Sequence, residues 1–113
     1  MPAYAVYESQ NFLSSMEDAV SWLYLHNLEQ SEQFAERKSY ELRQEVKVLE
    51  GHLTQTPYMG QADDLSGLRR FPLYEGRYSA TWIIDEASRN VTMLEFRDSK
   101  YPVDLRNFQL DES

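Results

Sequence analysis

The sequence contains no cysteine. Disulfides, thiol nucleophiles and thiolate-held zinc are therefore excluded, and the composition suits a reducing cytoplasm. Only two histidines are present, His26 and His52, too few for a His-rich metal centre, so neither a metal nor another cofactor is expected. Each lies near the end of an expected helix, where a cation complements the dipole. No apolar run approaches the roughly 18 residues that a spanning helix needs. The opening MPAYAVYESQ also lacks a basic stretch followed by an apolar one, so neither export nor membrane insertion is expected. Basic residues are outnumbered, 11 Lys+Arg against 19 Asp+Glu, for a formal charge of -8. A surface of that sign repels phosphate backbones, which argues against broad nonspecific nucleic-acid binding. The imbalance is uneven. Residues 1–56 carry four Lys/Arg against nine Asp/Glu, whereas residues 66–101 carry six against five, which puts any anion site in the second stretch.

What is present suffices for one core. At 42% hydrophobic and 13% aromatic over 113 residues, the chain can offset the entropy of ordering its backbone, and its length fits a single domain, 1–113, with a short acidic tail over 103–113. Residues 3–8 (AYAVYE) alternate as a strand does. Ser14 and Glu17 form a capping box, which predicts a first helix starting there, with Met16, Ala19, Val20 and Leu23 on its buried face and its end near Asn27. Ser31 offers a second N-cap. From it a long helix runs through Ala35, Ser39, Leu42, Val46, Leu49 and Leu53, with Gly51 either ending it or lying within it. Glu29, Glu32, Glu36, Glu41 and Glu45 read as a solvated face, or as one that selects a basic partner. The stretch 54–67 (TQTPYMGQADDLSG) fits neither period and reads as the longest loop.

After that loop, LRRFPL predicts a short strand. YSATWIID sets Tyr78, Ala80, Trp82 and Ile84 against Ser79, Thr81, Ile83 and Asp85. A polar turn over 86–89 leads into NVTMLEFR, where simple alternation puts Val91 and Met93 opposite Thr92, Leu94 and Phe96, and the two strands form a hairpin. The fold class that follows is α+β: a two-helix hairpin packed on a mostly antiparallel sheet of about four strands, in the order β-α-α-β-β-β. Trp22 is expected to be buried against the sheet, while Phe12 and Tyr24 suit either the core or a partner surface.

This order resembles the RelE/ParE superfamily of bacterial type II toxins, from Tyr4 to Tyr101. The residues that carry the resemblance are TPYMG at 56–60, LRRF at 68–71, RYSATWIID at 77–85 and VTMLEFRDSKY ending at Tyr101, in the family's order and spacing. The resemblance implies a cytoplasmic, growth-arresting toxin neutralised by a cognate antitoxin. Its target would be the ribosome and its messenger RNA, cut without metal by basic residues and a Tyr, His or Glu that moves protons, or DNA gyrase, which is bound rather than cut. Arg97 and Tyr101 fall where such toxins often have an Arg and a near-terminal Tyr, with Lys100 beside them. Arg77 could substitute for an Arg that many ribonuclease members carry where this chain has Ser79. On this reading Arg97, Tyr101, Arg77 and Lys100 are the candidate catalytic residues, and Arg69 and Arg70 the candidate substrate-binding ones.

Adjacent strand residues point to opposite faces, so at most one of Arg69 and Arg70 shares a face with Arg97. Tyr101 is either an acid-base group or a packed tyrosine; with an ordinary pKa of about 10 the first role needs strong tuning. An acidic chain with an incomplete catalytic set suits the gyrase-binding branch better. A second class of function also fits: a non-toxic acidic module that binds a basic protein on the same scaffold.

Overall fold

In the computed structural model, which describes residues 3–63 and 65–99, strand β1 (Ala5–Glu8) passes into helix α1 (Gln10–Asn27) through Ser9 alone. Ser9 has extended backbone, and its Oγ accepts the Phe12 N–H at 3.0 Å, satisfying an amide that the first turn leaves without a helical partner. The capping box expected at Ser14 and Glu17 does not start the helix, because both residues already lie inside it. The reason is tertiary. Phe12 is fully buried, edge-on to Phe96 at 5.8 Å between centroids, and the helix must exist at position 12 to place it there.

Helix α2 (Glu32–Leu53) begins where expected, with Ser31 Oγ accepting from Phe34 N–H at 3.0 Å. It continues through Gly51, and its last residue, Leu53, is fully buried. Strands β2 (Gln61–Ala62), β3 (Arg69–Leu73), β4 (Tyr78–Asp85) and β5 (Asn90–Asp98) complete a five-stranded sheet in the order β1-β5-β4-β3-β2. Every pairing is antiparallel except β1 with β5. The sheet thus has one strand more than the sequence suggests, because Gln61 and Ala62, inside the expected loop, extend the edge of β3.

The helices cover one sheet face, and Leu23, Leu42, Val46, Trp82, Val91 and Met93 form the centre of the core. Tyr78, Ala80 and Trp82 point into it as the alternation of β4 requires. Along β5 the alternation breaks. Thr81 pairs with Glu95 but Trp82 with Met93, so Leu94 is an extra residue, a β-bulge. Beyond it the faces exchange, and Phe96 joins Val91 and Met93 in the core instead of facing away with Thr92 and Leu94.

Two further expectations are corrected. Trp22 is 44% exposed rather than buried against the sheet; it is stacked on His26 at 4.3 Å, and the Arg77 guanidinium lies over its ring at 4.7 Å. Cation and imidazole cover the indole in place of core contacts. Glu45 is not simply solvated either, since its Oε1 accepts the Tyr74 N–H at 2.7 Å and ties α2 to the β3–β4 turn.

A carboxyl at the interior edge of α2 sets a pH dependence. Burial, followed by a hydrogen bond and like charge from Glu8, pushes Glu50 from 4.5 up to about 8, against the opposing pull of Lys47. Because the folded-state value lies above the unfolded one, the protonated group's contribution is complete below about 4.5 and is lost as pH rises through about 8. Glu50→Gln is expected to flatten the fall in melting temperature between about pH 5 and about pH 8. Equal slopes in wild type and variant would overturn this.

Candidate functional site

The sheet face turned away from the helices carries the short and polar side chains of β4, Ser79 and Thr81, flanked by β3 and β5. Arg97 pairs across from Ser79, and Arg70 from Thr81. The β5 bulge is what brings Arg97 here, since uninterrupted alternation would aim it with Val91 and Met93 into the core. A cavity of about 130 Å³ opens on this face, lined by Arg69, Arg70, Ser79, Thr81, Glu95 and Arg97, with Asp63 at its margin.

Arg97 is a partly buried cation, its side chain 25% exposed, and its Nη2 donates to both oxygens of Glu95 at 3.0 and 2.9 Å. Its Nε is buried and has no hydrogen-bond partner among the described residues. Arg70 is exposed beside it. Arg69, on the other side of β3, is held from below: its Nε donates to Met59 O at 3.1 Å and its guanidinium lies over Tyr58 at 5.5 Å. The hydrogen bond from Ser66 Oγ, with a further one from the Leu65 amide, holds the Asp63 carboxyl below the usual carboxylate range, so the margin stays anionic.

The TPYMG segment is the support beneath this cavity. Trp82 Nε1 donates to Pro57 O at 3.0 Å, and the Tyr58 hydroxyl donates to Glu86 in the β4–β5 turn. Tyr4 donates to the same carboxylate at 2.8 Å, so one acid joins β1, the loop and the turn. The bonds from Tyr58 and Tyr4 draw Glu86 below its ordinary value, and the same partner raises the Tyr58 hydroxyl to about 12.

The structure thus brings together Arg69, Arg70 and Arg97 of the residues singled out from sequence. It does not bring Arg77 to them. Arg77 precedes β4 on the helix side, where it stacks on Trp22 and pairs with Asp98 at 3.4 Å. Lys100 and Tyr101, with the tail 103–113, lie outside the described residues. The residue that sequence reasoning missed is Glu95, which alternation places on the core side; only the bulge shows that it faces the cavity. No group of three or more His, Cys, Asp or Glu side chains suited to a metal occurs among the described residues, and no helix there is long and apolar enough to cross a membrane.

Two helices on one face of a mostly antiparallel five-stranded sheet, in the order β-α-α-β-β-β with a further short edge strand, make a RelE/ParE-like fold. Solved structures bear out that likeness. The E. coli toxin RelE, as a doubly Arg-to-Ala-substituted protein in the free state, superposes with a TM-score of 0.62 at 9% identity, covering 97% of each chain. The chromosomal ParDE toxin–antitoxin system of P. aeruginosa gives 0.59 at 13% identity, over 84% of this chain and 95% of that one. The toxin–antitoxin complex RelBE2 of Mycobacterium tuberculosis gives 0.50 at 17% identity, over 87% and 93%. No protein-family model and no curated protein matches the sequence.

Proposed function

We propose that this chain is the toxin of a type II toxin–antitoxin pair and that it acts on RNA through the open face of its sheet. The observation that carries this reading is the cavity in which Arg70, Arg97 and Glu95 converge. Guanidinium groups held there can stabilise the charge that builds on a phosphate as its bond to oxygen breaks, and a removed donor of this kind typically costs about 10²–10³ in rate. Glu95 is the carboxylate within reach of a proton in transfer, a role that the resemblance gives to a Tyr, His or Glu. Where ribonuclease relatives carry an Arg, this chain has Ser79, and its second cation comes from Arg70 on the neighbouring strand.

One observation favours gyrase binding instead. Glu95 already occupies Arg97 with two hydrogen bonds, and a toxin that only binds its target has no need of a free guanidinium.

Induction of the wild type, Arg97→Ala and Arg70→Ala in a bacterial host, with mapping of messenger RNA ends on purified ribosomes, separates these readings. The expected result is growth arrest with ribosome-dependent cleavage, reduced about 10²-fold or more in either variant while its circular dichroism is unchanged. Growth arrest with broken DNA and no RNA cleavage would establish the gyrase reading. Normal growth on induction would leave the non-toxic binding module.

A further inference from the structure

The outer surface of the helix hairpin, facing away from the sheet, carries a groove of about 520 Å³ between α1 and α2. Its exposed surface is mostly apolar, although Ser21, Ser39, Glu36 and Arg43 also line it. Tyr24 lines it from α1, and Leu25 and Tyr40, 66% and 61% exposed, stand open to solvent on its two sides. Large side chains left exposed together in this way mark an interaction surface more often than an accident of composition.

The charge around the groove has one sign. Glu36 lines it directly, and Glu32 lies one turn earlier on the same stripe of α2. In the turn between the helices, Glu29 follows Leu25 by four residues, at the same end of the groove as Glu32. Arg43, the cation that lines the groove among the described residues, is closed by Glu17, with Nη1 and Nη2 on its carboxylate at 2.9 and 2.8 Å. Arg37 and Lys38 lie over the Phe34 ring at 5.7 and 5.4 Å. Residues 10–53 carry four Lys/Arg against eight Asp/Glu, so the hairpin is a net anion.

We infer that this groove docks a basic amphipathic segment of a partner protein, with large apolar side chains between Tyr24, Leu25 and Tyr40 and Lys or Arg against Glu29, Glu32 and Glu36 at its hairpin-turn end. The inference rests on the hairpin alone, and it stands or falls independently of what the cavity on the open sheet face does. An acidic partner is disfavoured by repulsion from these acids, and an uncharged one leaves them without counterpart. A second copy of this chain would set acid against acid.

The test uses the purified full chain and two labelled synthetic helical peptides that share one apolar face, one bearing Lys and the other Glu at the flanking positions. Binding is followed by fluorescence anisotropy. The Lys peptide is expected to bind about tenfold tighter or better at low salt. The preference should close between about 0.01 M and about 1 M salt, as the screening length falls from about 30 to about 3 Å. Leu25→Ser and Tyr40→Ser, both at exposed positions, should each weaken the Lys peptide about tenfold with no change in melting temperature, and Glu36→Lys should erode the preference. Equal affinity for both peptides, preference for the Glu peptide, no binding of either, or indifference to Leu25→Ser and Tyr40→Ser would each overturn the proposal. So would a dimer in sedimentation that Leu25→Ser dissociates, since the occupant would then be a second copy.

Discussion

Trp82→Ala should lower stability by about 3–5 kcal/mol, the range for removing a fully packed tryptophan. Trp82 is completely buried at the middle of β4, in the core that it shares with Leu42, Val46, Leu49 and Leu53 of α2. Truncation leaves a void that the surrounding close-packed residues can only partly fill. It also removes the hydrogen bond from Nε1 to Pro57 O, so a buried carbonyl in the TPYMG segment loses its donor. Trp82→Phe separates the two effects, keeping most of the ring while stranding Pro57 O, and should cost about 1–3 kcal/mol. Urea unfolding of the three proteins measures both terms. A phenylalanine variant as stable as wild type would show that the carbonyl finds another donor and that Trp82 does not anchor the loop.

The second large effect is expected at Gly60. Its φ is +86°, a region in which a side chain is strained, and a Cβ built there would meet the backbone oxygen of Arg70 at 2.6 Å and the Trp82 ring at 3.2 Å. Backbone cannot swing aside as a flexible side chain does, so Gly60→Ala should cost about 1–3 kcal/mol and push the loop away from β3. The displacement falls on the strand that carries Arg69 and Arg70. Loss of growth arrest in Gly60→Ala out of proportion to its change in urea midpoint would tie loop position to the site. An unchanged midpoint would refute the close approach. Gly67 and Gly76, also at positive φ but with open space around them, provide controls that share the strain without the collision.

Much of the framework was legible in the chain. The helical spacing of Leu42, Val46, Leu49 and Leu53 and the alternation of Tyr78, Ala80 and Trp82 each specify which side is buried, because the period of the backbone leaves one choice of face. Ser31 marked the start of α2 because capping depends on residues within one turn. Ser9 had the same chemistry, yet Ser14 with Glu17 matched the local pattern more fully. The choice between them was made by Phe12, whose contact with Phe96 is 84 positions away in sequence and invisible to local reading.

The candidate site divides in the same way. That the cations of residues 66–101 would form any anion site, and that only one of Arg69 and Arg70 could share a face with Arg97, followed from charge counting and strand alternation alone. Which of the two it was, and that Arg97 and Glu95 face the open side at all, depended on a single extra residue at Leu94. Arg77 shows the converse, since its proximity to Ser79 in sequence suggested the cavity while Trp22 and Asp98 hold it on the opposite face. By itself the sequence determined both helices, four of the five strands, their order and the buried face of most of them, because these follow from backbone period and composition. The tertiary structure alone decided the register shift that brings Arg97, Glu95 and Arg70 together, because a bulge is set by how β5 must fit between β1, β4 and the helices above it.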